Sequence, residues 1–122
     1  MQPRGVFLLQ SDSQIAQLLL ASLSGPFDPV ETVHSAHDLR EVLRRSTPGV
    51  AIVDVEAISL PDLSALVRDF PTISFVCNHR SPDEKLWVET MNAGAADCCP
   101  SDDVAAILHA VISSASIRSA AA

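Results

Sequence analysis

Asp54 follows the apolar run Val50-Ala51-Ile52-Val53, so a carboxylate emerges where a buried strand meets solvent. A carboxylate in that place can accept a phosphoryl group, ligate a cation or cap the strand end. Its companions decide between these. Gln10-Ser11-Asp12-Ser13, after an earlier apolar run, brings one acid, readable as a helix-start carboxylate or as a contributor to a metal site. That segment lacks the glycines of a P-loop or dinucleotide turn, and no nucleotide cofactor is expected. His34, His37, His79 and His109 pair with no Ser or Cys nucleophile, which leaves acyl transfer without support. The His34/His37 spacing lacks the further ligands of a zinc site. Cys77, Cys98 and Cys99 have neither metal-knuckle nor disulfide-framework spacing and read as small buried thiols of a reducing, cytoplasmic chain.

The 122 residues suffice for one domain with a real core. With 8 basic and 15 acidic side chains the formal charge is -7, which disfavours direct nucleic-acid binding and anionic membranes and suits a basic protein partner. Met1-Gln2-Pro3-Arg4 leads into an apolar run around Phe7, Leu8 and Leu9 that is too short to span a bilayer and does not read as a signal peptide.

Two kinds of segment alternate around these residues. Apolar runs at Val6 to Leu9, Pro29 to Val33, Val50 to Val53, Ile73 to Cys77 and Ala96 to Cys99 read as strands. Between and after them come helical patterns. Ser13 precedes Ile15, Leu18, Leu19 and Leu23, and Gly25-Pro26 stops that helix. Ser35 caps one with Leu39, Val42 and Leu43, and Pro48-Gly49 ends that unit. Pro61 opens one with Leu63, Leu66 and Val67. Ser81 and Pro82 serve as cap and first residue of a fourth, carrying Leu86, Val88 and Met91. Ser101 or the acids after it start a fifth with Ile107, Leu108 and Val111, and fraying is expected after Ser116. Strict alternation of short strands and helices predicts a parallel sheet with helices on both faces. Sites in such sheets form at the carboxyl ends of the strands, here Gln10, Ser11, Asp12, Asp54, Glu56, Cys77, Asn78 and Ser101.

Three stretches resemble the receiver domain of bacterial two-component response regulators: Val6-Phe7-Leu8-Leu9-Gln10-Ser11-Asp12, Val50-Ala51-Ile52-Val53-Asp54 and Asn92-Ala93-Gly94-Ala95-Ala96-Asp97. The resemblance covers roughly residues 5 to 116 and implies one α/β domain over 1–122, a flavodoxin-like, doubly wound sheet of order 2-1-3-4-5 with five helices. It makes Asp54 the counterpart of the phosphoacceptor. The acidic pair that holds magnesium in the family falls on the neutral Gln10 and Ser11, with Asp12 following. The residue giving the metal its backbone carbonyl falls on Glu56. The phosphate-sensing Ser/Thr falls on Cys77, with Asn78 beside it. The strand-five lysine falls on Ser101 and the switch aromatic on Cys98. The resemblance leaves Asp12, Asp54 and Glu56 as candidate metal ligands; no cofactor is required, and magnesium is expected at most to bind weakly.

The expectation is an atypical receiver, or pseudo-receiver, that is not an enzyme and acts chiefly as a protein-interaction module. Its partner would be a histidine kinase, an output protein or a second copy meeting it through helix four, strand five and helix five, with Leu86, Trp87 and Met91 contributing. The alternatives are a weakly functional receiver phosphorylated on Asp54, and an unrelated flavodoxin-like module with a ligand or catalytic role.

Overall fold

A computed structural model describes residues 5–45 and 49–121, with side chains described through Ser114. The leader Met1-Gln2-Pro3-Arg4 and the stop at Pro48 lie outside the described residues. The chain runs β1 (Gly5–Leu9), α1 (Ser13–Leu23), β2 (Val30–Val33), α2 (Ala36–Arg44), β3 (Gly49–Asp54), α3 (Leu60–Asp69), β4 (Ile73–His79), α4 (Glu84–Asn92), β5 (Asp97–Pro100) and α5 (Val104–Ala121). All strand pairs are parallel and the sheet order is β2-β1-β3-β4-β5, the doubly wound arrangement that the alternation predicts.

Side chains alternate across the strands and build two cores. On one face Phe7, Ala51, Val53, Phe75 and Cys77 meet Leu39 and Leu43 of α2 and Leu63 and Leu66 of α3. On the other, Val6, Leu8, Val50, Ile52 and Val76 meet Leu19 and Leu23 of α1 and Ile107 and Val111 of α5. β1 and β3 are buried along their whole length, which is why β3 reads as an uninterrupted apolar run. At the start of the β1–β3 pair two glycines face each other, and a methyl group on Gly49 would sit 2.4 Å from the Gly5 carbonyl oxygen. Gly94, at φ 106, turns the chain between α4 and β5 against Val67.

Helix starts follow short polar side chains. The Asp12 carboxylate accepts from the N–H groups of Gln14 and Ile15, and the hydroxyls of Ser35 and Ser59 accept from Asp38 and Asp62. Asp103 accepts from the Ala106 N–H at 3.0 Å at the head of α5. The fourth helix begins later than Ser81-Pro82. Ser81 spends its N–H on His79 Nδ1 at 2.9 Å, and the Asp83 carboxylate takes the cap by accepting from Leu86 at 2.8 Å. At the other end, α5 continues past Ser116 to Ala121. Its last turns are rich in alanine, the strongest helix former, which outweighs the small polar residues among them.

Candidate functional site

Period-two alternation at the carboxyl edge selects the site. Leu8, Ile52, Val76 and Cys99 share the core beneath α1 and α5, so Gln10, Asp54, Asn78 and Ser101, each two residues further on, rise on the same side. Gln10, Asp54 and Ser101 line a pocket of about 310 Å³, with Ser11, Asp12, Glu56, Arg80 and Asp102 also on its walls, while Asn78 is buried among them.

Asp54 is only 2% exposed. Its Oδ2 accepts from the Ser11 N–H at 3.1 Å and also from the Ser11 hydroxyl, while Oδ1 accepts from the Glu56 N–H at 2.9 Å. Both oxygens therefore have protein donors, and the loops after β1 and β3 close onto the carboxylate they present. Beside it lies a neutral network. Gln10 Nε2 donates to Asn78 Oδ1 at 2.8 Å, and Asn78 Nδ2 donates back to Gln10 Oε1 at 2.9 Å. The same Asn78 nitrogen donates to Ser101 Oγ at 2.8 Å. Asn78 is wholly buried, and these bonds satisfy both polar atoms of its side chain. The network links β1, β4 and the residue after β5, passing over the end of β3.

Glu56 does not turn toward Asp54. Its carboxylate holds the Arg80 guanidinium in a fork, with Arg80 Nη2 to Oε1 at 2.7 Å and Nε to Oε1 at 3.0 Å, and His79 Nε2 stands 4.0 Å away. The hydrogen bond from Arg80 holds the Glu56 carboxyl below its ordinary range, against the opposing effect of desolvation. A lowered folded-state value means that the pair's contribution is present above the unfolded-state pKa of Glu56 and fades as pH falls through the folded one. Arg80→Ala should therefore return the Glu56 titration, followed by carboxyl NMR, toward the ordinary glutamate value. An unmoved midpoint would show the fork to be unimportant in solution.

The sequence expectations divide accordingly. Gln10, Ser11, Asp54 and Ser101 converge as expected. Asp12 lines the same pocket, with its carboxylate committed to the α1 cap. Cys77 is misplaced in the sequence reading. The register aligns Asp54 with Asn78, while Cys77 aligns with Val53 and points into the opposite core, fully buried. Burial pushes its thiol far above the ordinary range. Asn78 therefore occupies the place next to Asp54. Arg80 went unnoticed in sequence because it lies just beyond a strand end and its partner is on another loop.

Asp12, Asp54 and Glu56 line one pocket without converging. Among the described residues no three His, Cys, Asp or Glu side chains are placed to hold a metal ion. The donor set agrees: one carboxylate caps a helix, one is filled by Ser11 and Glu56 N–H groups, and one is neutralised by Arg80. A hard divalent cation needs several free oxygens, and these residues do not fit it.

No protein-family model matches the chain, and no curated protein matches it. Solved structures do. Over 98% of this chain and 99% of the other, the fold superposes on the signal receiver domain of an HD domain-containing protein from Pseudomonas fluorescens Pf-5, with a TM-score of 0.84 and 18% identity. A CheY-like response regulator receiver domain protein from Methanospirillum hungatei JF-1 matches over 99% of this chain and 100% of its own at a TM-score of 0.81 and 13% identity. A response regulator from Burkholderia pseudomallei, solved with a phosphorylated aspartic acid, a calcium ion and citrate, matches over 96% of this chain and 71% of that one at 0.78 and 16% identity. The architecture is thus the flavodoxin-like receiver fold, and no described helix is long and apolar enough to cross a membrane.

Proposed function

We propose that the chain is an atypical receiver module of two-component signalling, acting mainly through protein contacts around a degenerate phosphorylation site. The observation that carries this reading is the closed state of Asp54. Its oxygens are taken by Ser11 and by the Glu56 N–H, and the neighbouring Gln10, Asn78 and Ser101 satisfy one another without a charge. Phosphoryl transfer builds negative charge on the transferring oxygens, and a cation normally offsets it. The one basic side chain on the pocket wall is Arg80, already paired with Glu56.

The proposed partner is a histidine kinase, an output protein or a second copy of the chain, meeting it through α4, β5 and α5. Trp87 and Val88 are 46% and 42% exposed on α4, whereas Leu86 and Met91 are half-buried. The Burkholderia protein carries its phosphoryl group on an aspartate. Should Asp54 do the same, Arg80 is the basic side chain on the pocket wall that could meet it, in competition with Glu56.

The test is treatment with acetyl phosphate and magnesium, read by intact mass beside a conventional receiver in the same tube. The conventional receiver should gain a phosphate-sized mass and this chain should not. A reproducible gain that disappears in Asp54→Asn would replace the proposal with that of a working phosphoacceptor.

A further inference from the structure

Three cysteines lie within two adjacent strands, and the fold allows only one pair of them to meet. Cys77 of β4 and Cys98 of β5 are register partners in a parallel pair. Register partners point to the same face, and both belong to the core that also contains Val53 and Phe75. Cys99, next in the chain, points the other way into the core beneath α1 and α5. The sheet itself thus separates Cys99 from Cys77 and from Cys98. Neighbouring strands lie about 4.7–4.9 Å apart, inside the roughly 4.4–6.8 Å range over which Cα atoms are bridged by a disulfide. All three cysteines are free thiols in this structure.

We propose that Cys77 and Cys98 form an oxidation site, closing to an intrachain disulfide with a small peroxide as oxidant. Cys98 is the entry point. It lies on the edge strand and is 8% exposed, against 0% for Cys77. Burial pushes the Cys98 thiol up, and a hydrogen bond with the Thr90 side chain draws it partly back. Cys77 lies wholly beneath the surface, and burial and then Cys98 itself hold its thiol up, so it meets no oxidant directly and enters only in the second step, as the register partner of Cys98.

The Cys98 thiolate attacks one oxygen of hydrogen peroxide. The O–O bond breaks, and the departing hydroxide takes up the thiol proton as water, leaving a sulfenic acid. The Cys77 sulfur then attacks that sulfur. The S–S bond forms, the S–O bond breaks, and a second water leaves with the Cys77 proton. Two electrons pass from the thiol pair to the peroxide. The link would fix β4 to β5 one residue before Asn78 and three before Ser101, pinning the edge of the pocket from below.

The experiment exposes the folded, reduced protein to hydrogen peroxide, then unfolds it and caps free thiols with N-ethylmaleimide for intact mass and peptide mapping. The expected product carries one maleimide, on Cys99, instead of three. It is lighter by two hydrogen atoms before capping, and dithiothreitol restores it. Cys99→Ala should form the same link, while Cys77→Ala and Cys98→Ala should not. Three maleimides after exposure, a link through Cys99, a bond between two chains, or only irreversible oxygen addition would overturn the proposal. Because Cys99→Ala keeps both proposed partners, the test does not depend on how well the deeper variants fold.

Discussion

Asn78→Asp should lose about 3–5 kcal/mol of stability at neutral pH, the usual cost of an uncompensated buried charge. The position is wholly buried and aligned with Asp54 on the neighbouring strand. The substitution sets a second carboxylate beside the first and removes the donors to Gln10 Oε1 and Ser101 Oγ. Desolvation and the like charge would both raise the folded-state pKa of the new acid above its unfolded value. A raised carboxyl value penalises the folded state as pH climbs through the interval between the two values, and the penalty is full above the folded one. Urea midpoints at pH 4 and pH 8 would reveal this, with the variant recovering part of its loss at the lower pH. Asn78→Ala should lose less, and by the same amount at both. Parallel pH profiles for the two variants would show that Asn78 does not face Asp54.

A second large effect is expected at Gly49, far from the pocket but on the strand that delivers Asp54. The new Cβ would lie 2.4 Å from a backbone oxygen of Gly5, and neither partner is a side chain able to swing aside. The start of the β1–β3 pair would have to part, at a cost of about 3 kcal/mol. For a domain of this length that corresponds to a fall in Tm on the order of 10 °C. Gly25→Ala is the control, since nothing lies within 4 Å of its added methyl group. Equal melting of the two variants would argue against the close approach of β1 and β3.

Particular residues show where the sequence was readable. Val50 to Val53 announced a central strand because only a strand covered on both faces is apolar throughout. Ser35 and Asp12 announced helix starts because their side chains satisfy free backbone N–H groups. The same physics hid the choice between Cys77 and Asn78. In Ile73 to Cys77 the alternation that distinguishes one face from the other is erased by burial on both sides, so parity cannot be taken from β4 alone. Pairing with β3 supplies it, and pairing is a property of two strands. Arg80 and its pairing with Glu56 were hidden for a related reason. Their fork joins loops 24 residues apart, and nothing in either loop predicts the other's position. The late start of α4 turned on a choice among Ser81, Pro82 and Asp83, which His79 settles by accepting the Ser81 N–H.

The amide pair of Gln10 and Asn78, with Ser101 hanging from it, contains no group that gains or loses a proton across the physiological range. Changes in pH or ionic strength have little hold on it. Breaking this network takes a group that offers better hydrogen bonds than the three residues offer one another. Charge at this rim resides instead in Asp54 and in the Glu56–Arg80 pair, so the neutral network and the charged groups beside it answer to different perturbations.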